Sequence, residues 1–158
     1  MLKELKKTTP IEGNSSMDNY SAFNVLKSNN LIVSDNLPEI VSTWTRRYNC
    51  WGFVAFLFGW INKEAWLQPW EIDDLLHKNT DHVPLKNARA GDIVCIVSKY
   101  GNEHTGILSP KNDRGQWMIF HKPGGRQLTY ETLGEGILTY AGYKHKLLIQ
   151  RPKGIAYA

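Results

Sequence analysis

The stretch Tyr48-Asn49-Cys50-Trp51-Gly52-Phe53-Val54-Ala55-Phe56-Leu57-Phe58-Gly59-Trp60 sets a cysteine at the head of a helical pattern. Phe53, Phe56, Leu57 and Trp60 recur at i, i+3, i+4 and i+7, which predicts a helix from Cys50 to about Asn62 with one apolar stripe turned to a core. Asn49 suits the N-cap, because its side-chain oxygen can take an N–H of the first turn. The unpaired N–H groups of that turn and the positive end of the helix dipole favour a thiolate, so the expectation is an acidic Cys50 thiol. Free cysteine is also among the residues most often buried. What lifts Cys50 above that reading is the order Cys50, His104, His121: a thiol, a base and an orienting group are the minimum set for acyl transfer through a covalent intermediate.

Working outward, the pattern after Pro84 changes from helical spacing to short apolar runs. Ile93 to Val97 reads as a strand, Tyr100 to Glu103 as a turn, and His104 to Leu108 as the next strand. Lys111-Asn112-Asp113-Arg114-Gly115 has hairpin-turn composition, and Gln116 to His121 pairs back. Weaker strands are predicted at Gly136 to Tyr140 and at Lys146 to Arg151. Upstream, Tyr20 to Leu26 and Glu71 to His77 read as short helices, Leu31 to Val33 as a brief apolar run and Glu39 to Ser42 as a brief helix or strand. Helices first and an antiparallel sheet after make an α+β fold.

His104 opens one strand of the predicted hairpin and His121 closes its partner, so an antiparallel register brings the two imidazoles to the same end of the sheet. The Cys50 helix, packed over that face, would then bring its first turn to His104. The roles that follow are Cys50 as nucleophile, His104 as general base and His121 as the group that fixes its tautomer. An oxyanion hole needs donors where the tetrahedral oxygen forms. The Cys50 backbone N–H is one candidate and Tyr48 the second, with Trp44 a poorer one.

This order resembles the NlpC/P60 family of papain-like cysteine peptidases, with the related CHAP amidases sharing much of the layout. The matching pieces are Asn49-Cys50-Trp51-Gly52-Phe53-Val54, Ala90-Gly91-Asp92-Ile93-Val94, His104-Thr105-Gly106-Ile107-Leu108 and Phe120-His121. The resemblance implies a papain-like NlpC/P60 architecture, a nucleophile-bearing helix packed on an antiparallel sheet, and a Cys-His-His amide hydrolase acting on peptidoglycan peptide bonds. Family members that cut stem peptides usually show Asp-Cys-Ser-Gly, the Asp and Ser helping to recognise a free amine. Here Asn49 and Trp51 stand at those positions, which points the substrate side of the site away from the family's usual bond. A papain-like protease or acyltransferase acting on proteins, or a non-catalytic binding module, is the alternative on the same fold.

Composition bounds the rest. At 158 residues, 42% hydrophobic and 22% charged, the chain has the make-up of an ordinary globular domain. Residues 1–19 are polar and read as a flexible N-terminal tail, and 20–154 as a single catalytic domain. A net charge of +4, scattered rather than striped, is compatible with an anionic cell-wall polymer or with nucleic acid and diagnostic of neither, and the partner expected is a peptide or peptidoglycan substrate rather than nucleic acid. Trp51, Trp60, Trp66 and Trp70 lie close together and predict an aromatic cluster that lines a groove in part. Cys95 sits inside an apolar strand run and reads as core rather than as a disulfide partner of Cys50. Cys50, Cys95, His104 and His121 contain no close ligand pair, so no metal and no cofactor is expected. No stretch approaches the roughly 20 apolar residues of a membrane span, and Met1 to Pro10 is not followed by the apolar core of a secretory signal. The expectation is cytoplasmic synthesis, with release by lysis, a virion or a secretion system. Oligomeric state is not legible.

Overall fold

The computed structural model describes residues 14–15, 27, 48–123, 129–138 and 145–154. In chain order the described elements are β1 (Asn14–Ser15), α1 (Cys50–Leu57), α2 (Pro69–Asn79), β2 (Thr80–Val83), β3 (Ile93–Ser98), β4 (Gly101–Ser109), β5 (Met118–His121), β6 (Thr129–Thr132), α3 (Leu133–Leu138) and β7 (Lys146–Pro152). The strands form one seven-stranded sheet in the order β1-β6-β5-β4-β3-β7-β2, every neighbouring pair antiparallel. The architecture is α+β, with the cysteine helix packed on the sheet. Within the segment read as a tail, Asn14 and Ser15 pair with Glu131 and Tyr130 as an edge strand. The expected elements at Tyr20 to Leu26, Leu31 to Val33 and Glu39 to Ser42, and Trp44, lie outside the described residues.

α1 is buried all round rather than along one stripe: Cys50, Gly52 and every residue from Phe53 to Leu57 are buried. It ends at Leu57, short of Asn62, because Gly59 adopts a positive φ of 73°. The N–H of Trp60 then returns to the Ala55 carbonyl at 2.9 Å and that of Gly59 to Phe56 at 3.1 Å, the paired bonds of a Schellman stop. Gly52 is required by a crossing, since a Cβ there would run into the carbonyl oxygen of Ala65. α2 is longer than Glu71 to His77 because Pro69 fits the first helical position and the Glu71 carboxylate takes the N–H of Gln68 at 2.9 Å.

The sheet has two packed faces. On one, Ile93, Cys95, Ile107, Met118, Phe120 and Tyr130 meet α1 and the Ile72 and Leu76 side of α2. Phe53 sets its ring edge-on to Phe120 at 5.2 Å, and each such buried ring contributes about 2 kcal/mol by burial alone. On the other, Val94, Leu108, Ile119 and Ile149 meet Leu133 and Ile137. Gly136 to Leu138 is not part of the expected strand but of α3, in which Leu133 and Ile137, about one helical turn apart, both pack against this apolar surface. Thr139 and Tyr140 lie outside the described residues.

The β3–β4 hairpin is tighter than expected. Ser98 pairs with Gly101, whose φ of 108° permits a loop of only Lys99 and Tyr100, so β4 begins where a turn was predicted. The register then slips: Val97 pairs with Asn102 but Ile96 with His104, which leaves Glu103 as the extra residue of a bulge. A one-residue slip moves every following side chain to the other face. The bulge therefore sends His104 to the face of Ile96, not that of Cys95.

The Gly91-Asp92 turn before β3 is an anchor. Asp92 is fully buried and accepts the Arg89 N–H at 2.8 Å, while Nε and Nη2 of Arg151 each donate to it at 2.9 Å, tying β7 to the start of β3.

Candidate active site

Alternation along β4 and β5 decides which groups meet. Ile107 pairs with Phe120 and Leu108 with Ile119, and continuing that register sets His121 opposite Gly106. His104, Gly106 and Leu108 share one face, as do Ile119 and His121. His121 is thus the diagonal neighbour of His104, and Nε2 of His104 lies 2.6 Å from Nδ1 of His121. Gly106 makes the approach possible. A Cβ there would stand 2.5 Å from Cδ1 of Ile119 and 3.0 Å from Cβ of His121.

A third group, absent from the sequence reading, completes this cluster. Glu131, on β6 opposite Ile119, places Oε2 2.6 Å from Nε2 of His121. The tautomers follow from the carboxylate, which can only accept. His121 donates through Nε2–H, so its Nδ1 is an acceptor. That acceptor takes Nε2–H of His104, which leaves Nδ1 of His104 with the lone pair. Both imidazoles are fully buried. Burial, with the neighbouring His121 second, holds the His104 pKa well below its ordinary value and keeps the ring neutral. The only sequence signal for Glu131 is an acidic residue inside Thr129-Tyr130-Glu131-Thr132, a strand without a strong apolar pattern.

Cys50 approaches the same place from the other side. α1 packs on the Thr105 and Ile107 face of β4, whereas the imidazoles leave the strand toward α3, so the helix does not lie over the imidazole face as expected. The Cys50 sulfur meets the backbone N–H of Thr105, the peptide unit that joins His104 to Thr105. Thiol and imidazole therefore flank one peptide of β4, just past the point where β5 ends and opens the strand edge.

The thiol is not acidic. Only 6% of Cys50 is exposed, and burial pushes its pKa up to about 12. The N–H groups of Thr105, Trp51 and Cys50 itself and the charge of Lys122 all pull the other way without offsetting it. The helix terminus acts in the expected direction and falls short in magnitude, because removing the sulfur from water outweighs a few oriented dipoles. Cys95 is likewise pushed up to about 12 by burial. Both cysteines are free thiols.

The remaining residues take up distinct positions. Tyr48 is buried, its ring stacked on Phe53 at 6.0 Å. Asn49 caps α1 as expected, its Oδ1 taking the N–H of Gly52 at 2.9 Å and of Leu67 at 3.2 Å while Nδ2 donates to the Leu67 carbonyl at 2.8 Å. Its amide is engaged within the fold at both ends. Trp51 is half-buried and donates through Nε1 to Oδ1 of Asn102 at 3.2 Å, and Asn102 also takes the hydroxyl of Thr105. Beyond Asn102 a groove of about 450 Å³ opens, floored by Cys95 and edged by Asp73, His77 and His82. Trp66 and Trp70 are exposed and Trp60 packs against Phe58, so the aromatic cluster divides between core and surface.

The described residues contain no group of three or more His, Cys, Asp or Glu arranged to hold a metal ion. No described helix is long and apolar enough to cross a membrane. The model of the NlpC/P60 family matches residues 41–146. No curated protein and no solved structure gives a significant match.

Proposed function

The chain belongs to the NlpC/P60 family, and from that premise we propose that it is a cysteine-dependent amide hydrolase acting on peptide bonds of bacterial peptidoglycan. The family is one of cysteine peptidases and amidases, which makes the chemical class the firm part of the reading. The observation that supports the catalytic roles is the buried chain Glu131–His121–His104, which orients a neutral imidazole beside the peptide unit that Cys50 also contacts.

In the proposed reaction the Cys50 S–H proton passes to Nδ1 of His104 as the sulfur attacks the scissile carbonyl carbon. The resting pair is neutral thiol and neutral imidazole, so proton transfer accompanies attack instead of preceding it. The tetrahedral oxyanion, facing the Cys50 N–H, collapses; the C–N bond breaks and the amine leaves with the proton held by His104. Water, deprotonated by the same nitrogen, then attacks the thioester, frees the acid and returns the proton to sulfur. His121 and Glu131 hold the tautomer throughout.

The groove beyond Asn102 suits an extended peptide, and Trp51, in the place of the family's usual serine, favours a bond other than the family's usual one. The deciding experiment incubates the protein and its Cys50→Ala variant with purified sacculi and with a cell lysate, and reads new amine ends by mass spectrometry. Cys50-dependent ends in sacculi are expected. Cleavage of lysate proteins with intact sacculi would overturn the substrate and keep the chemistry; no Cys50-dependent product in either would overturn the hydrolase.

A further inference from the structure

On the α1 side of the sheet the group that brings charge to Cys50 is an amine. Lys122 follows His121 in the chain and leaves it on the opposite face, where Nζ sits 5.1 Å from the centre of the Tyr48 ring. Tyr48 stacks on Phe53, and Phe53 meets Phe120, so Lys122 is enclosed by the aromatic packing that carries the first turn of α1. The residue is 0% exposed. A lysine ammonium is compact and strongly hydrated, so its removal from water is costly, and a methionine would fill the volume without that cost.

We propose that Lys122 is the counter-charge of the Cys50 thiolate, its ammonium stabilising the negative sulfur formed when the thiol loses its proton. The proposal rests on the reading of Cys50 as nucleophile. It answers the difficulty of that reading, which is that the thiol is buried and the neighbouring imidazole neutral. The other titratable groups around Cys50 are Tyr48 from the segment before α1, Cys95 from β3 with Asp73 of α2 behind it, and His104 and His121 across the sheet. Among these groups Lys122 alone brings a positive charge to the α1 side.

The pairing has a pH signature. Burial pulls the Lys122 pKa down to about 8, with Cys50 opposing the shift. Below that value the ammonium is present and each pH unit raises the thiolate fraction tenfold. Above it the amine loses its proton in step with the thiol, so thiolate gained is offset by counter-charge lost and reactivity levels off.

The test is the rate at which iodoacetamide alkylates Cys50 in the full chain from about pH 6 to pH 10, read by intact mass with Cys50→Ala as blank. The wild type is expected to climb and then level off near pH 8. Lys122→Met is expected to react at least about tenfold more slowly at pH 7 and to climb through pH 8 without a break, while Lys122→Arg keeps the rate and also loses the break. A Lys122→Met profile equal to wild type overturns the proposal. Should that variant not fold, the wild-type profile decides alone, and a line with no break near pH 8 overturns it. Turnover on the same samples separates the two readings: no Cys50-dependent product removes the hydrolase, whereas turnover with identical alkylation profiles removes only the role of Lys122.

Discussion

Oε2 of Glu131 lies 2.6 Å from Nε2 of His121, and through that ring the carboxylate fixes which nitrogen of His104 carries a proton. The effect is a choice of tautomer rather than a transfer of charge. In Glu131→Gln the side chain can donate as well as accept, so His121 is free to turn its proton toward His104 and block the lone pair on Nδ1. Turnover is expected to fall by about ten- to a hundredfold with the fold unchanged by circular dichroism. Wild-type turnover in Glu131→Gln would show that the carboxylate does not set the tautomer.

The neutral state of His104 makes a second prediction, on stability. Its folded pKa is depressed below the ordinary value of 6.5 by burial first and by His121 second. A depressed group contributes stability that is present above its unfolded pKa and lost as pH falls below it, because the unfolded chain takes up a proton that the folded one refuses. Urea midpoints should therefore be flat from pH 6.5 to about pH 8, where the depressed Lys122 begins to titrate, and fall below pH 6.5 with a limiting slope of about 1.4 kcal/mol per pH unit from this one ring. In His104→Gln that part of the slope should vanish. An equal acid slope in both would place the proton uptake elsewhere.

Much of the site was legible because it is local in sequence. The cysteine at a helix start, the hairpin that brings the two histidines together and the turn at Lys111 to Gly115 are each written in a few consecutive residues and each is found, although His104 stands inside β4 rather than at its start. What escaped depends on alignment between distant strands. Glu131 reaches His121 only through the β5–β6 register, and Lys122 reaches the ring of Tyr48, two residues before Cys50, only because α1 packs on that face. The bulge at Glu103 reverses the face of His104, and nothing in period-two alternation reports an extra residue. The acidity of Cys50 was misjudged for a related reason: a helix terminus is visible in sequence, while burial is the sum of every element packed above it.

Gly106 tests whether the close approach of β4 and β5 matters to the imidazole pair. In Gly106→Ala the new methyl group meets Ile119 and the Cβ of His121, so β5 must move or its side chains must leave their rotamers. The expected cost is about 1–3 kcal/mol of stability, with turnover falling further than stability because His121 is displaced from His104. Measured at a temperature where the variant is fully folded, normal turnover would show that the His104–His121 contact is not needed for the reaction.

Asn49 offers the sharpest comparison with the family pattern, in which an aspartate precedes the nucleophile and meets the substrate. The simple expectation is that Asn49→Asp restores the family's usual specificity. The structure argues otherwise, because Nδ2 of Asn49 donates to the Leu67 carbonyl at 2.8 Å, and an aspartate would set a carboxylate oxygen against that carbonyl with no proton between them. Oδ1 would still cap Gly52, so α1 should survive, but the segment bearing Leu67 would be pushed off the helix start. The expected result is a loss of about 1–3 kcal/mol in unfolding free energy, with no gain in cleavage of stem peptides bearing a free amine. Chemical denaturation checks the first part, and product analysis with a free-amine and an acetylated stem peptide checks the second. A variant that is as stable as wild type and newly prefers the free amine would mean that residue 49 faces substrate, and that the hydrogen bonds to Leu67 are dispensable.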